Sequence, residues 1–578
     1  MKRLRAGLRA SMAIGLLAAM IPTSGALAWT GSGTLSDPYW VNDCTELQAV
    51  GTNLSAHYLV TQDIDCSGVT FTPIGNSSTP FTGHFDGDGF TVSDLTINLP
   101  TTDYIGLFGA ADGATIKDIN LYGANITGQV RVGAIVGHAL NTTDISHVTI
   151  NATTVIGQQY VGGLVGALND SMLNYGQAAV DQVSGSRAGL STAVKIGGAV
   201  GLTDNSTVNK SFVTGTVTGN NLGSASDSVG GFVGEMNMGS TINDSYTTAS
   251  VTAHAKSGGF VGSAVSSSTN RSWASGAVEG TTDVGGFVGY EGLGMHTDSF
   301  AMGSVTGVTN VGGFFGHVLA VGGDANNSYF DVTRTGLTDC VGLDEGISYS
   351  TTCTGVNAAS SAPNYFHNNA TNEPLDGWNF TSVWRTTTTT PTLVWVPERP
   401  DNVRVVPSPT SLTFSWEVPA NTGGSAITSY DIRYKPSSSK GSYNSFTGLS
   451  AATLSQVLNN LIPSTEYTIY LRANNAIGHG TWTGIITYTS AASTTVTTAP
   501  KVNTAAATVP TDEPAAVPAD ETASAPPPVT ENSDDANSND ESAGTGSSAL
   551  SKVVWGAVSA VGLGIAYIAS LQSKKIAK

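Results

Sequence analysis

The sequence predicts an all-β chain: a solenoid of stacked coils, then a β-sandwich, a disordered stalk and one apolar C-terminal helix. Three observations carry this. A Gly-rich hexapeptide recurs at a near-constant interval through the first half of the chain. The stretch 397–490 instead alternates apolar and polar residues in short runs bounded by turn residues. Each terminus holds an uncharged apolar stretch.

The first element is a leader, residues 1–28. Lys2, Arg3, Arg5 and Arg9 precede an apolar run from Met12 to Ile21, and Ala26-Leu27-Ala28 forms an A-x-A cleavage site. This is the pattern of a secretory signal peptide, so the mature chain is expected to begin near Trp29.

The second element is the repeat. It reads Val132-Gly133-Ala134-Ile135-Val136-Gly137, then Val161-Gly162-Gly163-Leu164-Val165-Gly166. Further copies have their first glycine at Gly197, Gly230, Gly258, Gly285 and Gly312, and a leading variant starts at Ile105-Gly106. A Ser-aromatic element follows the later copies: Ser211-Phe212, Ser245-Tyr246, Ser272-Trp273, Ser299-Phe300 and Ser328-Tyr329. The units contain apolar alternations of four to six residues and no helix-length periodic run, which reads as strands. No unit can bury its own aromatic residue, whereas stacked units bury a continuous column. Glycine suits the tight turns between such strands.

These copies resemble the GLUG repeat of bacterial surface proteins, adhesins and some immunoglobulin A peptidases. The segments Pro73-Ile74-Gly75 and Phe81-Thr82-Gly83-His84-Phe85-Asp86-Gly87-Asp88-Gly89 resemble the usual lead-in, so the likeness spans about residues 38–335. It implies a right-handed parallel β-helix and a surface or adhesive role, and it implies no particular ligand. The expected divisions are an N-terminal cap with first coils at 29–104, repeats at 105–335 and a C-terminal cap or linker at 336–396. Cys44, Cys66, Cys340 and Cys353 make an even count in a secreted chain, and proximity pairs Cys44 with Cys66 and Cys340 with Cys353, one bridge in each cap.

The third element, 397–490, holds Leu412-Thr413-Phe414-Ser415-Trp416, Tyr430-Asp431-Ile432-Arg433-Tyr434 and Leu461-Ile462-Pro463-Ser464-Thr465-Glu466-Tyr467. This order resembles a fibronectin type III domain. The resemblance makes Trp416 the core tryptophan and Tyr467 the corner tyrosine whose hydroxyl is tied to nearby backbone. Residues 491–548, rich in Ala, Thr, Pro and acidic residues, read as a disordered stalk. Residues 549–572 read as a transmembrane helix, with Val553–Leu571 free of charge, and 573–578 as a basic cytoplasmic tail carrying Lys574, Lys575 and Lys578. The body is therefore expected outside the cell, secreted by the Sec route and anchored once.

Composition narrows function. The 578 residues include 69 glycines, only 12% are charged, and the net charge is −19. Such a charge argues against nucleic acid as a partner. No His is followed by Glu, so the zinc helix of the peptidase relatives is missing, and neither a G-x-S-x-G elbow nor a phosphate-binding loop occurs. No catalytic, cofactor or metal residue is assigned. The strongest polar cluster, His84 to Gly89, could hold calcium or a pair of catalytic acids, but an Asp-Gly turn accounts for it, as for Asp63 and Asp65. Trp273 is expected in the solenoid core rather than on a sugar-binding surface. The expected function is a non-catalytic adhesin or surface-binding protein for an extracellular protein or glycan. The alternatives are a structural envelope component and a polysaccharide-acting β-helix enzyme.

Overall fold

The glycines explain the first architectural fact, a solenoid whose coils turn more sharply than side chains would allow. A computed structural model describes residues 29–489 and 497–498, apart from 187–192, 221–223, 320–322, 347–352, 359–364, 368 and 440. The expected leader, most of the expected stalk, and the expected transmembrane helix and basic tail lie outside the described residues. All neighbouring solenoid strands pair in parallel, coil on coil. One face is a nine-stranded sheet running from Phe108–Asp112 through Val136–Leu140 and Val165–Asn169 to Val341–Asp344. A second is a seven-stranded sheet from Val130–Val132 to Thr309–Gly312. The third wall consists of short strands such as Thr115–Lys117, Asn120–Tyr122 and Asn125–Thr127. Nine strands at the usual spacing make a stack on the order of 40 Å tall.

The repeat hexapeptide is the corner between the first two sheets. A methyl on Gly133 would lie 2.6 Å from the carbonyl oxygen of Val136, and the equivalent glycines 162, 197, 230, 258, 285 and 312 are more crowded still. The second glycine is required by stacking: a side chain on Gly163 would strike the Gly198 carbonyl of the next coil, and so on through Gly231, Gly259 and Gly286. The residue after it points inward. Phe232, Phe260, Phe287 and Phe314 stack at 4.7, 4.8 and 4.7 Å between ring centres, all fully buried. Stacked pairs of this kind contribute about 0.5–1.5 kcal/mol beyond burial.

The serines of the Ser-aromatic element have a different task. Ser245 Oγ accepts from Ser211 N at 3.2 Å and donates to Asn243 O at 2.9 Å, and Ser272, Ser299 and Ser328 continue the column. These hydroxyls satisfy buried backbone groups where the chain bends away from its ladder. Beside them Asn174, Asn209, Asn243 and Asn270 hydrogen-bond side chain to side chain at 2.9 Å per step.

Both cysteine pairs are bridged, with Cα separations of 5.2 Å for Cys44–Cys66 and 6.0 Å for Cys340–Cys353. Cys44 begins the short helix Cys44–Ala49, capped by Asp43, whose Cys44 and Leu47 join the solenoid core. Val341–Asp344 and Cys353–Val356 add strands to the last coil, so the second bridge belongs to the stack itself. The sandwich has two antiparallel four-stranded sheets. Trp416 packs on Tyr430 in its core, with ring centres 5.4 Å apart, and the Tyr467 hydroxyl accepts from Ile462 N at 3.0 Å.

The segment after the last coil departs from a simple linker. Phe212, Tyr246, Trp273 and Phe300 stack on one another at 5.0, 4.6 and 5.9 Å on the outside of the third wall. Tyr365, Phe366, Trp378, Trp384 and Trp395 pack over them. Their contacts run backwards along the stack: Tyr365 on Tyr329, Phe366 on Phe300, Trp384 on Tyr246, Trp395 on Phe212. Trp273 is 1% exposed, yet it belongs to this second hydrophobic cluster and not to the solenoid core. The expectation of a core position is therefore corrected: its ring faces outward and is buried by this segment, a strap of residues 365–395 laid over the third wall.

Candidate functional site

The strap delivers the sandwich to the first coils, where it meets the cluster the sequence singled out. Asp88 adopts φ 48° and its amide donates to Asp86 Oδ1 at 2.8 Å, so the segment is indeed an Asp-Gly turn. The turn also has a partner. Asp88 Oδ2 accepts from Arg433 Nη1 and Asp88 Oδ1 from Arg472 Nη1, both at 2.7 Å. Arg472 Nε bonds Asp431 Oδ2 at 3.0 Å, and Arg433 Nη2 reaches the Thr61 carbonyl at 3.2 Å. The Arg433 guanidinium lies 4.4 Å from the ring centres of both Phe90 and Trp482. Phe90 in turn meets Tyr470 edge-on at 5.0 Å.

The carboxylates of this turn are thus consumed by protein cations. Asp86 pairs with Lys117 at 2.6 Å; burial raises its pKa and the lysine opposes that rise. Asp63 accepts from Thr91 N at 2.9 Å and faces Arg399 at 3.8 Å, and burial raises its pKa too. Asp65 accepts from Ser67 N. Among the described residues no group of three or more His, Cys, Asp or Glu is arranged to hold a metal ion.

One arrangement has the outline of a catalytic relay. His296 Nε2 lies 2.6 Å from Glu291 Oε2, and its Nδ1 lies 2.8 Å from Thr269 Oγ1. All three residues are fully buried in the solenoid interior, so the relay has no access to a substrate. It satisfies polar groups inside the stack, with Gly294 N closing on Glu291.

The open polar cluster is elsewhere, on the outer face beside the glycine corner. Tyr104, Arg131 and Tyr160 hold the same position in three successive coils, and all three take left-handed backbone, φ 63°, 59° and 53°. Asn310 and Asp283, better suited to that conformation, hold it in later coils. The Arg131 guanidinium lies between the two tyrosine rings, 5.2 and 5.3 Å from their centres. His138, on the adjoining strand, packs against Tyr104 at 5.9 Å and bonds Asn169 Oδ1 through Nε2 at 2.9 Å. Burial, with the nearby Arg131 charge, pushes the His138 pKa down to about 4. The imidazole is therefore neutral at physiological pH. All five side chains are partly exposed.

Neither the docking contacts nor this cluster was found from the sequence. Asp88 and Arg433 are 345 residues apart. Tyr104, Arg131 and Tyr160 could have been noticed, because each stands two residues before the first glycine of its copy.

Residues 398–489 match the fibronectin type III domain. The chain is similar to halomucin of Haloquadratum walsbyi, 36% identical over 170 residues, which is 26% of this chain and 2% of that protein. A putative Gly-rich membrane protein of Evansella cellulosilytica is 31% identical over 20% of this chain and 15% of its own length. The immunoglobulin A1 protease of Streptococcus sanguinis is 26% identical over 38% of this chain and 12% of its own. The chain thus spans under a sixth of the length of each of these relatives.

Proposed function

We propose that this is a cell-surface adhesin or ligand-binding protein with no catalytic activity, built on GLUG-type coils. It would be exported by the Sec route and held by a single C-terminal span, with its body outside the cell. The observation that carries the binding reading is the fate of the polar groups. The carboxylates of the Asp86–Asp88 turn are neutralised by Lys117, Arg433 and Arg472, and the His296 relay is sealed inside. Open polar chemistry survives on the outer coil face around Arg131, where rings, a cation and neutral hydrogen-bonding groups lie side by side. That is the equipment of recognition rather than bond cleavage.

The partial likeness to an immunoglobulin A1 protease does not favour peptidase activity, because no His-Glu pair exists to start a zinc helix. The test is to present the full chain to a combined glycan and protein array, with and without calcium, and to assay the same ligands for cleavage. Saturable binding with intact ligand is expected. Turnover of a ligand, or no binding to any member, would overturn the reading.

A further inference from the structure

We propose that Tyr104, Arg131, Tyr160, His138 and Asn169 form a binding site for a carboxylated sugar unit, a uronate within a glycan. This rests on the reading of the protein as a surface ligand-binding protein and names the site and ligand class for it.

The first argument is an unanswered charge. Arg271, Arg334, Arg399, Arg433 and Arg472 each lie against an aspartate, while Arg385 donates to Thr392 and Arg404 is exposed to solvent. Arg131 has no carboxylate partner among the described residues, in a chain with 43 acidic and 24 basic residues. Its Nε is buried without an acceptor, and Nη1 has only a long 3.4 Å contact with the Tyr104 hydroxyl. A guanidinium has five donors in a fixed fork that matches a carboxylate. Holding it between two rings keeps it oriented while leaving most of those donors unused.

The second argument is a run of bulky residues in left-handed backbone at one coil position. Left-handed backbone disfavours bulky side chains; His147, Tyr175, Lys210, Lys256 and Arg271 also adopt it, and Tyr104, Arg131 and Tyr160 do so at one position in three consecutive coils. Asp283 and Asn310 show that the corner does not need Tyr or Arg there. The run sets three bulky side chains side by side on the outer face, with Arg131 between the two rings.

The third argument selects the ligand. Around the single cation stand two phenols, a neutral imidazole and a carboxamide, all able to exchange hydrogen bonds with hydroxyl groups. One carboxylate on a hydroxyl-rich body fits this set. An acidic peptide, with repeated charge and few hydroxyls, does not, and the net charge of −19 disfavours dense polyanions.

The experiment is calorimetric titration of the full chain with a trisaccharide carrying a single galacturonate unit, the methyl ester of that unit and a triglutamate peptide. The free acid should bind saturably, and the ester and the peptide should bind at least tenfold more weakly. Arg131→Gln should weaken the acid at least tenfold with an unchanged melting temperature and circular dichroism spectrum. Arg131→Lys, which keeps the charge and loses the fork, should fall between. Equal binding of acid and ester, preference for the peptide, or wild-type affinity in a folded Arg131→Gln variant would overturn the site. The ester comparison needs no variant, so it decides the matter even if Arg131→Gln fails to fold. If array ligands bind but ignore Arg131→Gln, this site fails while the surface-binding function stands. If no ligand binds at all, the function itself fails.

Discussion

Replacing Asp88 with Asn should release the sandwich from the solenoid. Asn tolerates the left-handed backbone at this position and keeps the side-chain shape, so the turn itself should survive. What disappears is one carboxylate that answers two guanidinium groups at 2.7 Å each. The three side chains are 10–17% exposed, so the pairs are largely withdrawn from solvent. Removing one partner from a buried pair costs about 3–5 kcal/mol. Arg472 keeps Asp431, whereas among the described residues no other carboxylate bonds Arg433, so the low end applies, about 3 kcal/mol or roughly 150-fold in the docking equilibrium. Hydrogen exchange read by mass spectrometry should show lost protection in peptides containing Phe90 and Trp482. Calorimetry should split the sandwich transition from that of the stack. Because the pair is buried, 0.5 M salt should leave the wild-type contact intact. A variant with unchanged exchange and one unchanged melting transition would refute the claim that Asp88 fastens the two parts.

Three further outcomes follow from the geometry. Gly258→Ala should lower the melting temperature strongly, because the new methyl would be driven into the Val261 carbonyl; overpacking of this kind costs about 1–3 kcal/mol or more, and Gly336→Ala, with open space but φ 73°, should cost less. Trp384→Ala should cost about 3–5 kcal/mol, by thermal melting, and increase binding of a hydrophobic dye, because Trp384 is fully buried over the Tyr246 ring. Acid should destabilise the solenoid through His84, His138 and His147, whose pKa values burial depresses. The unfolded chain takes up their protons first, so stability is full above about pH 6.5 and falls as pH drops towards the folded values, about 4 for His138. Urea midpoints measured between pH 4 and 8 check the sign.

The coil was legible because its constraint is local and repeated. Each copy must pass the same corner, so glycine recurs at every step, and the phenylalanine after the pair reports the inward face. The strap was not legible, since Phe366, Trp378, Trp384 and Trp395 follow no period and match the ladder only through the fold. The same covering explains Trp273. Tyr246 and both its neighbours Ser245 and Thr247 are buried, so alternation in this stretch does not reveal which face is inner. The Arg131 cluster was half visible: its position in the repeat is regular, while its meaning depends on which charges lack partners in space.

The backward course of the strap changes how a pull on the molecule would be carried. Trp29 stacks on Tyr39, Trp40 of the same strand meets Tyr443 of the sandwich at 6.5 Å, and Asp88 grips Arg433 close by. Force applied between residue 29 and the sandwich would cross these contacts directly. The later coils, up to Val341–Asp344, lie off that line and would bear no tension until the Asp88 contacts gave way. The docking contact would then act as the first mechanical link to yield, with the strap and the coils behind it as slack paid out afterwards.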